Sequence, residues 1–313
     1  MDKLDHVLEH IDSKGINRRD FIKLTTLVTS VLGLAPAMIP KVAQAMTAKE
    51  RPTVIWLHFA ECTGCSEAFI RSSYPWIDEL VLEVLNVAYH ETIMAPAGHA
   101  AEKSLHEAME RYKGKYILVC EGGIPTADGG VWGKVAGRPM IEIAKEAAKG
   151  AVAVMAMGTC ACYGGVQAAK PNPTKAMGVG EALGIQTINL AGCPPNPVNA
   201  VSAVVQFLLL GRTPALDDYG RPKFAYGATI HDKCPRRAHF EEAEFVKRFG
   251  DEGAINGWCL FEMGCKGPDT HNNCSLVKFN DGTNWPVGAG HPCLGCSEPQ
   301  FWDNMAPFYT SKP

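Results

Sequence analysis

Four short apolar segments, each followed by a loop rich in glycine, cysteine or proline, most constrain how this chain of 313 residues can fold. Helical patterns separate the segments. Continuous apolar strands that alternate with helices are typical of a parallel sheet covered by helices. The sequence therefore predicts an α/β domain with a doubly wound parallel sheet. Its predicted strands are residues 53–57, 116–119, 151–155 and 187–190.

Three helices are predicted between or after these strands. In residues 101–112, apolar side chains recur at i, i+4 and i+7. Residues 140–149 form a second candidate. The third, residues 197–210, begins with a proline and stops at Gly211, which are common signals for the first and last turns of a helix.

Cysteines stand in three of the four loops that follow these strands. Cys62 and Cys65 form a C-x-x-C pair after the first strand, Cys160 follows the third, and Cys193 follows the fourth. Ligands of open α/β sheets bind outside the carboxyl ends of the strands, so the four thiols are expected to converge. Four convergent thiolates suit either an iron–sulfur cluster or a structural zinc ion.

The character of the sequence changes after the linker at residues 213–222. Only residues 240–249 predict a clear helix, and most of the remainder reads as loop. Such a segment can build little apolar core, so we expect bound clusters to organise a loop-rich C-terminal domain beginning near residue 220. Its cysteines are Cys234, Cys259, Cys265, Cys274, Cys293 and Cys296.

The N-terminus predicts an export signal. An arginine pair, Arg18 and Arg19, precedes an apolar run of 16 residues at 24–39, and Ala43-Gln44-Ala45 provides a small-x-small cleavage site. A membrane-spanning helix needs about 20 apolar residues, so the run is not expected to be an anchor. We expect export of the folded chain to the periplasm by the twin-arginine route, with cleavage after Ala45.

Charge and compartment limit the possible functions. Residues 1–45 carry six of the 30 basic and five of the 33 acidic side chains, so the mature chain keeps 24 and 28, a formal charge of −4. This balance predicts neither nucleic-acid binding nor attraction to anionic lipid. Exported proteins usually pair their cysteines in disulfides. The twin-arginine signal and the C-x-x-C pairs instead favour metal clusters.

The motifs around these cysteines resemble those of the small, electron-transferring subunit of periplasmic nickel–iron hydrogenases, of the soluble kind from sulfate-reducing bacteria. The resemblance covers essentially the whole chain. Several long motifs carry it in one order: ECTGCSE at 61–67, EGGIP at 121–125, GTC at 158–160, PNPT at 171–174, GCPPNP at 192–197, GWC at 257–259, GCKGP at 264–268 and HPCLGC at 291–296.

The resemblance implies a flavodoxin-like first domain and three iron–sulfur clusters, and it alone partitions the later cysteines among them. Pro286 stands near the position of a fourth ligand to the medial cluster, which fits a cluster with three protein ligands. The implied ligands are Cys62, Cys65, Cys160 and Cys193 for a proximal 4Fe-4S cluster, Cys274, Cys293 and Cys296 for a medial 3Fe-4S cluster, and His231, Cys234, Cys259 and Cys265 for a distal 4Fe-4S cluster.

The resemblance also implies an electron-conducting role inside a heterodimer. The large subunit would carry the nickel–iron centre that interconverts H2 with protons and electrons, and a c-type cytochrome would be the external carrier. No catalytic residue is expected in this chain. Glu61 would lie at the subunit interface, as a relay or as a helix-capping carboxylate. Gly64 and Gly165 stand where oxygen-tolerant members carry two extra cysteines, so an ordinary proximal cluster and an oxygen-sensitive enzyme are expected.

Other suggestive residues have ordinary structural interpretations. Cys120 and Cys162 are expected to pack in the core. Four histidines are expected to form structural hydrogen bonds, and three basic side chains are expected to be solvated. These are His58, His90, His271 and His291, and Lys266, Arg236 and Arg237.

Two other functions compete with this interpretation. A single-cluster subunit of a respiratory quinone reductase would share the α/β domain but not the second cysteine-rich domain. An exported binding protein stabilised by zinc or disulfides would contain no iron.

The predicted organisation is a signal at 1–45, an α/β domain at 46–220 and a cluster-binding domain at 221–313.

Overall fold

A computed structural model describes residues 7–8, 11, 17–47, 51–72, 77, 85–280 and 282–310. Its strands are β1 (Thr53–His58), β2 (Asn86–His90), β3 (Tyr116–Glu121), β4 (Ile124–Pro125), β5 (Lys134–Val135), β6 (Arg138–Pro139), β7 (Ala151–Met157), β8 (Ala176–Met177) and β9 (Ile188–Leu190).

Its α-helices are mostly short, and 3-10 turns join several of them. They are α1 (Arg18–Val31), α2 (Ile39–Met46), α3 (Gly64–Ile70), α4 (His99–Arg111), α5 (Met140–Ala148), α6 (Gly158–Tyr163), α7 (Val179–Leu183), α8 (Pro197–Leu210), α9 (Lys223–Tyr226), α10 (Arg237–Glu241), α11 (Glu252–Asn256), α12 (Cys274–Val277) and α13 (Phe301–Asn304).

Five parallel strands form the central sheet in the order β2-β1-β3-β7-β9. Among the five, this is the order 2-1-3-4-5 of flavodoxin-like sheets, whose switch point lies between β1 and β3. Every residue of β1 and β3 is buried, as expected for strands covered on both faces. The predicted parallel α/β fold is confirmed.

The register of the sheet brings the carboxyl ends of its strands to one edge. His58 of β1 pairs with Glu121 of β3, Glu121 pairs with Met157 of β7, and Met157 pairs with Leu190 of β9. The loops that follow these four strands therefore start side by side. This alignment brings together cysteines that lie up to 131 positions apart in the chain.

The four predicted strands are all present, and β2 was missed. Residues 86–90 mix polar ends with a short apolar centre, and the strand lies at the edge of the sheet, where its first three residues are only half-buried. The predicted helices at 101–112 and 140–149 correspond to α4 and α5. The predicted helix at 197–210 has the bounds of α8, with Asn196 as N-cap and Gly211 in the left-handed conformation at its end.

The predicted helix at 240–249 is wrong. Only α10 is helical there, and Ala243 adopts a positive φ of 57° just after it. Beyond that point the chain runs beside residues 258–259: Val246 N–H donates to Cys259 O at 2.9 Å, and Cys259 N–H donates to Glu244 O at 3.0 Å. The helix ends because these residues pair with the segment that carries Cys259.

Two apolar cores are present in the described residues. The first surrounds the sheet and includes Ile55, Leu118 and Met155, which are at most 2% exposed. The second is much smaller, and several half-buried cysteines pack against it. Its buried residues are Ile230, Val246, Leu260, Met263, Trp285 and Val287.

The predicted export signal folds as α1 and α2 against the first core. One stripe of α1 is buried, at Phe21, Leu24 and Val28, while Arg18 and Arg19 are exposed. No helix in the described ranges is both long enough and apolar enough to cross a membrane.

Candidate iron–sulfur sites

The four cysteines predicted at the strand ends come together. Cys62 lies in the loop after β1, Cys65 in the first turn of α3, Cys160 in α6 after β7, and Cys193 in the loop after β9. Burial raises the pKa of Cys65, and the negative charges of Glu121, Cys160 and Cys193 raise it further. Burial likewise raises the pKa of Cys193 to about 12. Each of these thiolates would raise the pKa of its neighbours, because like charges repel. A bound metal cation would offset that repulsion, so the arrangement suits a metal site with thiolate ligands.

Glycines leave space beside these thiols. Gly158 and Gly165 have positive φ values of 87° and 62°, and a Cβ at either position would collide with a sulfur, that of Cys65 or Cys160 respectively. The chain thus keeps side chains away from the sulfur atoms. The space left beside the cysteine sulfurs fits an iron–sulfur cluster, which brings inorganic sulfide as well as iron.

Glu121 is a site residue that the sequence analysis did not single out. Its carboxylate is 1% exposed and accepts hydrogen bonds from Cys65 N at 3.0 Å, Ser66 N at 3.1 Å and Ser66 Oγ at 2.6 Å. Trp56 Nε1 donates to it at 3.2 Å. The N-cap residue Thr63 makes no side-chain cap bond, so Glu121 satisfies the first turn of α3. Its position at the end of a buried strand, before two glycines, was the available signal.

Glu61 lies beside this carboxylate but does not cap the helix. Its Oε1 is 3.2 Å from His58 Nδ1 and accepts from Thr63 Oγ1 at 3.2 Å. Ligand atoms of His58, Glu61 and Glu121 lie within 4.8 Å of one another. His58 therefore has the structural hydrogen bond expected of it, and the helix-capping role considered for Glu61 belongs to Glu121.

Three cysteines of the C-terminal region line one cavity of about 410 Å³. Cys274 begins α12, and Cys293 and Cys296 lie in the loop of the second C-x-x-C pair. Burial raises the pKa of Cys293 to about 12, with added contributions from Cys265 and Cys296. Pro286 also lines the cavity and offers no side-chain donor. Cys193 of the first site and His291 border the same cavity. The three thiols of the C-terminal region, with a proline beside them, fit a cluster with three protein ligands.

The four ligands implied for the distal cluster line a separate small pocket. His231, Cys234, Cys259 and Cys265 all border it. Burial raises the pKa of Cys259 to about 11, the N–H of Phe261 opposes that rise, and the charges of Cys265 and Cys234 add to it. One imidazole and three thiols facing one space fit a cluster with mixed ligands.

Backbone N–H groups near these sulfurs lower the pKa values of several thiols, and one of them, Cys293 N–H, donates to Cys265 Sγ at 3.4 Å. Hydrogen bonds to a thiolate stabilise its charge and tune the potential of a cluster that it holds. The donors are Val166 for Cys160, Arg236 for Cys234, Phe261 for Cys259, Gly267 and Cys293 for Cys265, Gly295 for Cys293, and Cys193 for Cys296.

The two remaining cysteines pack in the core, as predicted. Cys120 is fully buried in β3, and Cys162 is 6% exposed with its Sγ 3.4 Å from Ala156 O. Both belong to the first apolar core. All twelve cysteines are free of disulfides.

Two expectations about basic side chains need correction. Lys266 is only 2% exposed, and its Nζ donates to Thr310 O at 2.9 Å. Arg236 is half-buried and donates to Trp258 O at 2.7 Å. Arg237 alone is exposed as predicted, in an ion pair with Glu241.

The other three histidines make the structural hydrogen bonds expected of them. His90 Nδ1 lies 3.1 Å from Thr92 Oγ1. His271 Nδ1 lies 3.3 Å from a Glu298 carboxylate oxygen. His291 Nε2 lies 3.0 Å from the Tyr309 hydroxyl.

Two family models match the chain. Residues 62–207 match the model described as NADH ubiquinone oxidoreductase, 20 Kd subunit. Residues 226–309 match the model that describes the C-terminal part of the NiFe/NiFeSe hydrogenase small subunit.

Curated relatives and solved structures agree with these matches. The chain is 58% identical to the periplasmic NiFe hydrogenase small subunit of Solidesulfovibrio fructosivorans, over 97% of this chain and 96% of that protein. It is 52% identical to periplasmic NiFe hydrogenase small subunit 1 of Nitratidesulfovibrio vulgaris, over 97% and 96%. The structure of the recombinant NiFeSe hydrogenase of Desulfovibrio vulgaris Hildenborough aligns with a TM-score of 0.77 at 36% identity, covering 85% of this chain and 99% of that chain. The chain belongs to the family of nickel–iron hydrogenase small subunits.

Proposed function

We propose that this chain conducts electrons through three iron–sulfur clusters, between the nickel–iron centre of a hydrogenase large subunit and an external carrier such as a c-type cytochrome. Hydrogenase small subunits pair with a large subunit, so the chain acts as one part of a heterodimer. The observation that carries the proposal is the grouping of ten cysteines and His231 into three sites that follow one another.

The ligands of the three clusters follow from these groups and from the family. Neighbouring groups are linked in space: Cys193 borders the same cavity as Cys296, and Cys293 N–H donates to Cys265 Sγ at 3.4 Å. The order proximal, medial, distal is the order of these contacts. We assign Cys62, Cys65, Cys160 and Cys193 to the proximal 4Fe-4S cluster, Cys274, Cys293 and Cys296 to the medial 3Fe-4S cluster, and His231, Cys234, Cys259 and Cys265 to the distal 4Fe-4S cluster.

Iron–sulfur clusters, when bound, would supply one-electron redox chemistry at potentials set by charge, hydrogen bonds and exposure. The chain supplies the surroundings. Cys274 and Cys293 are half-buried, while Cys62 and Cys193 are exposed. The exposed thiols leave the first site open at the surface, where the large subunit would cover it. The neutral imidazole of His231 would lower the negative charge at the last site.

The activation of hydrogen belongs to the large subunit in this proposal. Ten cysteines are assigned to clusters, and Cys120 and Cys162 are buried in the first core. Within the described residues, no thiol is left to hold nickel. The chain therefore has an electron-conducting role and no hydrogen-activating site of its own.

Export and domain organisation complete the proposal. The twin-arginine motif at residues 18–19 and the small-x-small site ending at Ala45 support export of the folded chain and cleavage of residues 1–45. Two relatives with more than half of their aligned residues identical are named periplasmic, which supports that destination. We place the α/β domain at 46–220 and the cluster-binding domain at 221–313.

Iron and acid-labile sulfide analysis of the purified heterodimer tests the proposal. Two four-iron clusters and one three-iron cluster predict about eleven irons in this chain, in addition to the large subunit's own iron. Zinc in place of iron, or near-zero sulfide, would overturn it.

A pair of variants two positions apart tests the ligand assignment. Cys160→Ala removes a proximal ligand and should abolish the spectroscopic signal of that cluster. Cys162→Ala is the matched control, because Cys162 is buried in the core, and its cluster content should equal that of the native chain. Equal cluster loss in both variants would contradict the assignment.

A further inference from the structure

The proximal and medial ligand groups meet where the α/β region joins the C-terminal region. Cys160 and Cys193 lie in loops of the sheet, whereas Cys296 comes from the second C-x-x-C loop. Cys193 and Cys296 border the same cavity. The separation of the two sites therefore depends on how firmly these loops are held together.

One buried side chain joins all three loops. Thr159 is 1% exposed and lies in the first turn of α6, next to Cys160. Its Oγ1 donates to Cys296 O and accepts from Gly192 N at 3.0 Å. Its backbone N–H donates to Gly192 O at 2.9 Å, so it is bonded twice to the residue before Cys193.

The contact between the medial and distal groups is built differently. Cys293 N–H donates to Cys265 Sγ at 3.4 Å, and Lys266 N–H donates to Cys293 O at 2.8 Å. Both segments belong to the C-terminal region, and the Cys265 sulfur and backbone groups connect them, with Cys293 Sγ also 3.7 Å from Thr270 Oγ1. At the junction between the two regions, by contrast, the buried hydroxyl of Thr159 bonds a backbone group of each region.

We propose that Thr159 is a positioning residue for electron transfer: its hydroxyl fixes the Cys296 loop against the Cys160 and Cys193 loops and so sets the separation of the proximal and medial clusters. A hydroxyl donates one hydrogen bond and accepts others, and here both capacities are used. Removal of this hydroxyl would leave the buried carbonyl of Cys296 and the buried N–H of Gly192 without a hydrogen-bond partner, which costs free energy. This inference rests on the proposed electron-conducting function.

Thr159→Val in the purified heterodimer tests it, because valine has nearly the same shape without the hydroxyl. Thr159→Ser keeps the hydroxyl. Thr187→Val is the matched control, since Thr187 is also buried and its Oγ1 donates to Asn189 Oδ1 at 2.7 Å, away from the cysteine loops. Hydrogen exchange by mass spectrometry reports on the Gly192 amide, and electron paramagnetic resonance reports on the magnetic interaction between the two clusters.

We expect Thr159→Val to keep its iron but to speed exchange at Gly192 by about tenfold, as loss of one buried hydrogen bond implies. The magnetic interaction between proximal and medial clusters should weaken. Thr159→Ser and Thr187→Val should match the native protein in both readouts.

Native exchange and native magnetic interaction in Thr159→Val would overturn the inference, as would a Thr159→Ser variant that behaves like the valine variant. If Thr159→Val does not assemble, Thr159→Ala provides the same readouts without a methyl group against the Cys296 carbonyl. A native heterodimer without iron would refute the proposed function instead, and the exchange comparison would still decide whether Thr159 holds these loops.

Discussion

The α/β region and the C-terminal region hold their cysteines by different physical means. In the first, buried strands in fixed register place the loops of Cys62, Cys160 and Cys193, and the apolar core lies beneath them. In the second, regular structure consists of helices of at most five residues, and Cys234, Cys265, Cys274 and Cys293 pack against a small core.

This contrast has a consequence for stability. The sheet can bury its apolar strands whether or not the nearby thiols bind anything. The C-terminal region has few apolar side chains to bury, so bound clusters would supply much of its folding free energy, as metals do in small metal-dependent domains. The sheet would thus stay folded without a bound cluster, whereas the C-terminal region would depend on bound clusters.

Removal of iron is the strongest test of this difference. In the iron-depleted chain, the peptides of residues 226–310 should lose their protection from hydrogen exchange, whereas β1, β3 and β7 should stay protected. Mass spectrometry measures both in one sample, so each region serves as the control for the other. Simultaneous loss of protection in both regions would break the comparison.

The ion pairs of Arg221 test how tightly the two regions are joined. This guanidinium is 2% exposed and donates to Asp217 at 2.7 Å, Glu298 at 2.9 Å and Ser297 O at 3.1 Å. Arg221→Met leaves two carboxylates without their partner, and we expect the free energy of unfolding to fall by about 3–5 kcal/mol. Chemical denaturation of the purified chain measures it.

Arg237→Met is the matched control. Its ion pair with Glu241 at 3.0 Å is exposed on both sides, so we expect a loss of at most about 1 kcal/mol. Similar losses in the two variants would mean that the buried contact between regions contributes no more than a surface pair.

Glu121→Gln tests whether the sheet alone positions the first C-x-x-C pair. The amide NH2 that replaces one carboxylate oxygen would face the donors of Ser66 and Cys65, and we expect a loss of about 1–3 kcal/mol. Thermal unfolding measures this loss. The exposed Glu67→Gln serves as a control that should change little. An unchanged melting temperature for Glu121→Gln would show that the strands suffice.

The last predicted effect, which is smallest near neutral pH, is a pH dependence confined to the α/β region. Burial, with a further contribution from the charge of His58, lowers the pKa of His90 to about 4. The unfolded chain therefore binds a proton below pH about 6.5 that the folded chain does not bind. His90 favours the folded state fully above that pH, and its contribution is lost at about 1.4 kcal/mol per pH unit as the pH falls toward 4.

Urea unfolding followed by circular dichroism at pH 7, 6 and 5 measures this dependence. His90→Gln should flatten it, while His99→Gln, at an exposed position, should leave it unchanged. A native pH dependence in His90→Gln would contradict the assignment to His90.

Much of the α/β region could be predicted because its signals are local. Continuous apolar runs indicated four of the five central strands, and Pro197 and Gly211 marked both ends of α8. The edge strand β2 was missed because its burial is partial. The helix predicted at 240–249 failed because pairing with residues 258–259 outweighs local preference, and no pattern within the segment reveals that partner.

The cysteines of the first site could likewise be predicted from the sequence, whereas the groups that support them could not. Parallel strands end at one edge, so cysteines after three strands had to converge. The role of Glu121 depends on which backbone N–H groups face it across the switch point, and the buried Lys266 donates to the carbonyl of Thr310, 44 positions later. Contacts between segments distant in sequence decide both.

The sequence by itself determined the strand and helix alternation, the cysteines that follow the strands, and the family, because these depend on local composition and on motifs in a fixed order. The tertiary structure decided which later thiols share a cavity, which carboxylate caps α3, and that Thr159 joins loops from both regions. These features depend on the relative placement of loops, and loops without periodic patterns carry little local information about their partners.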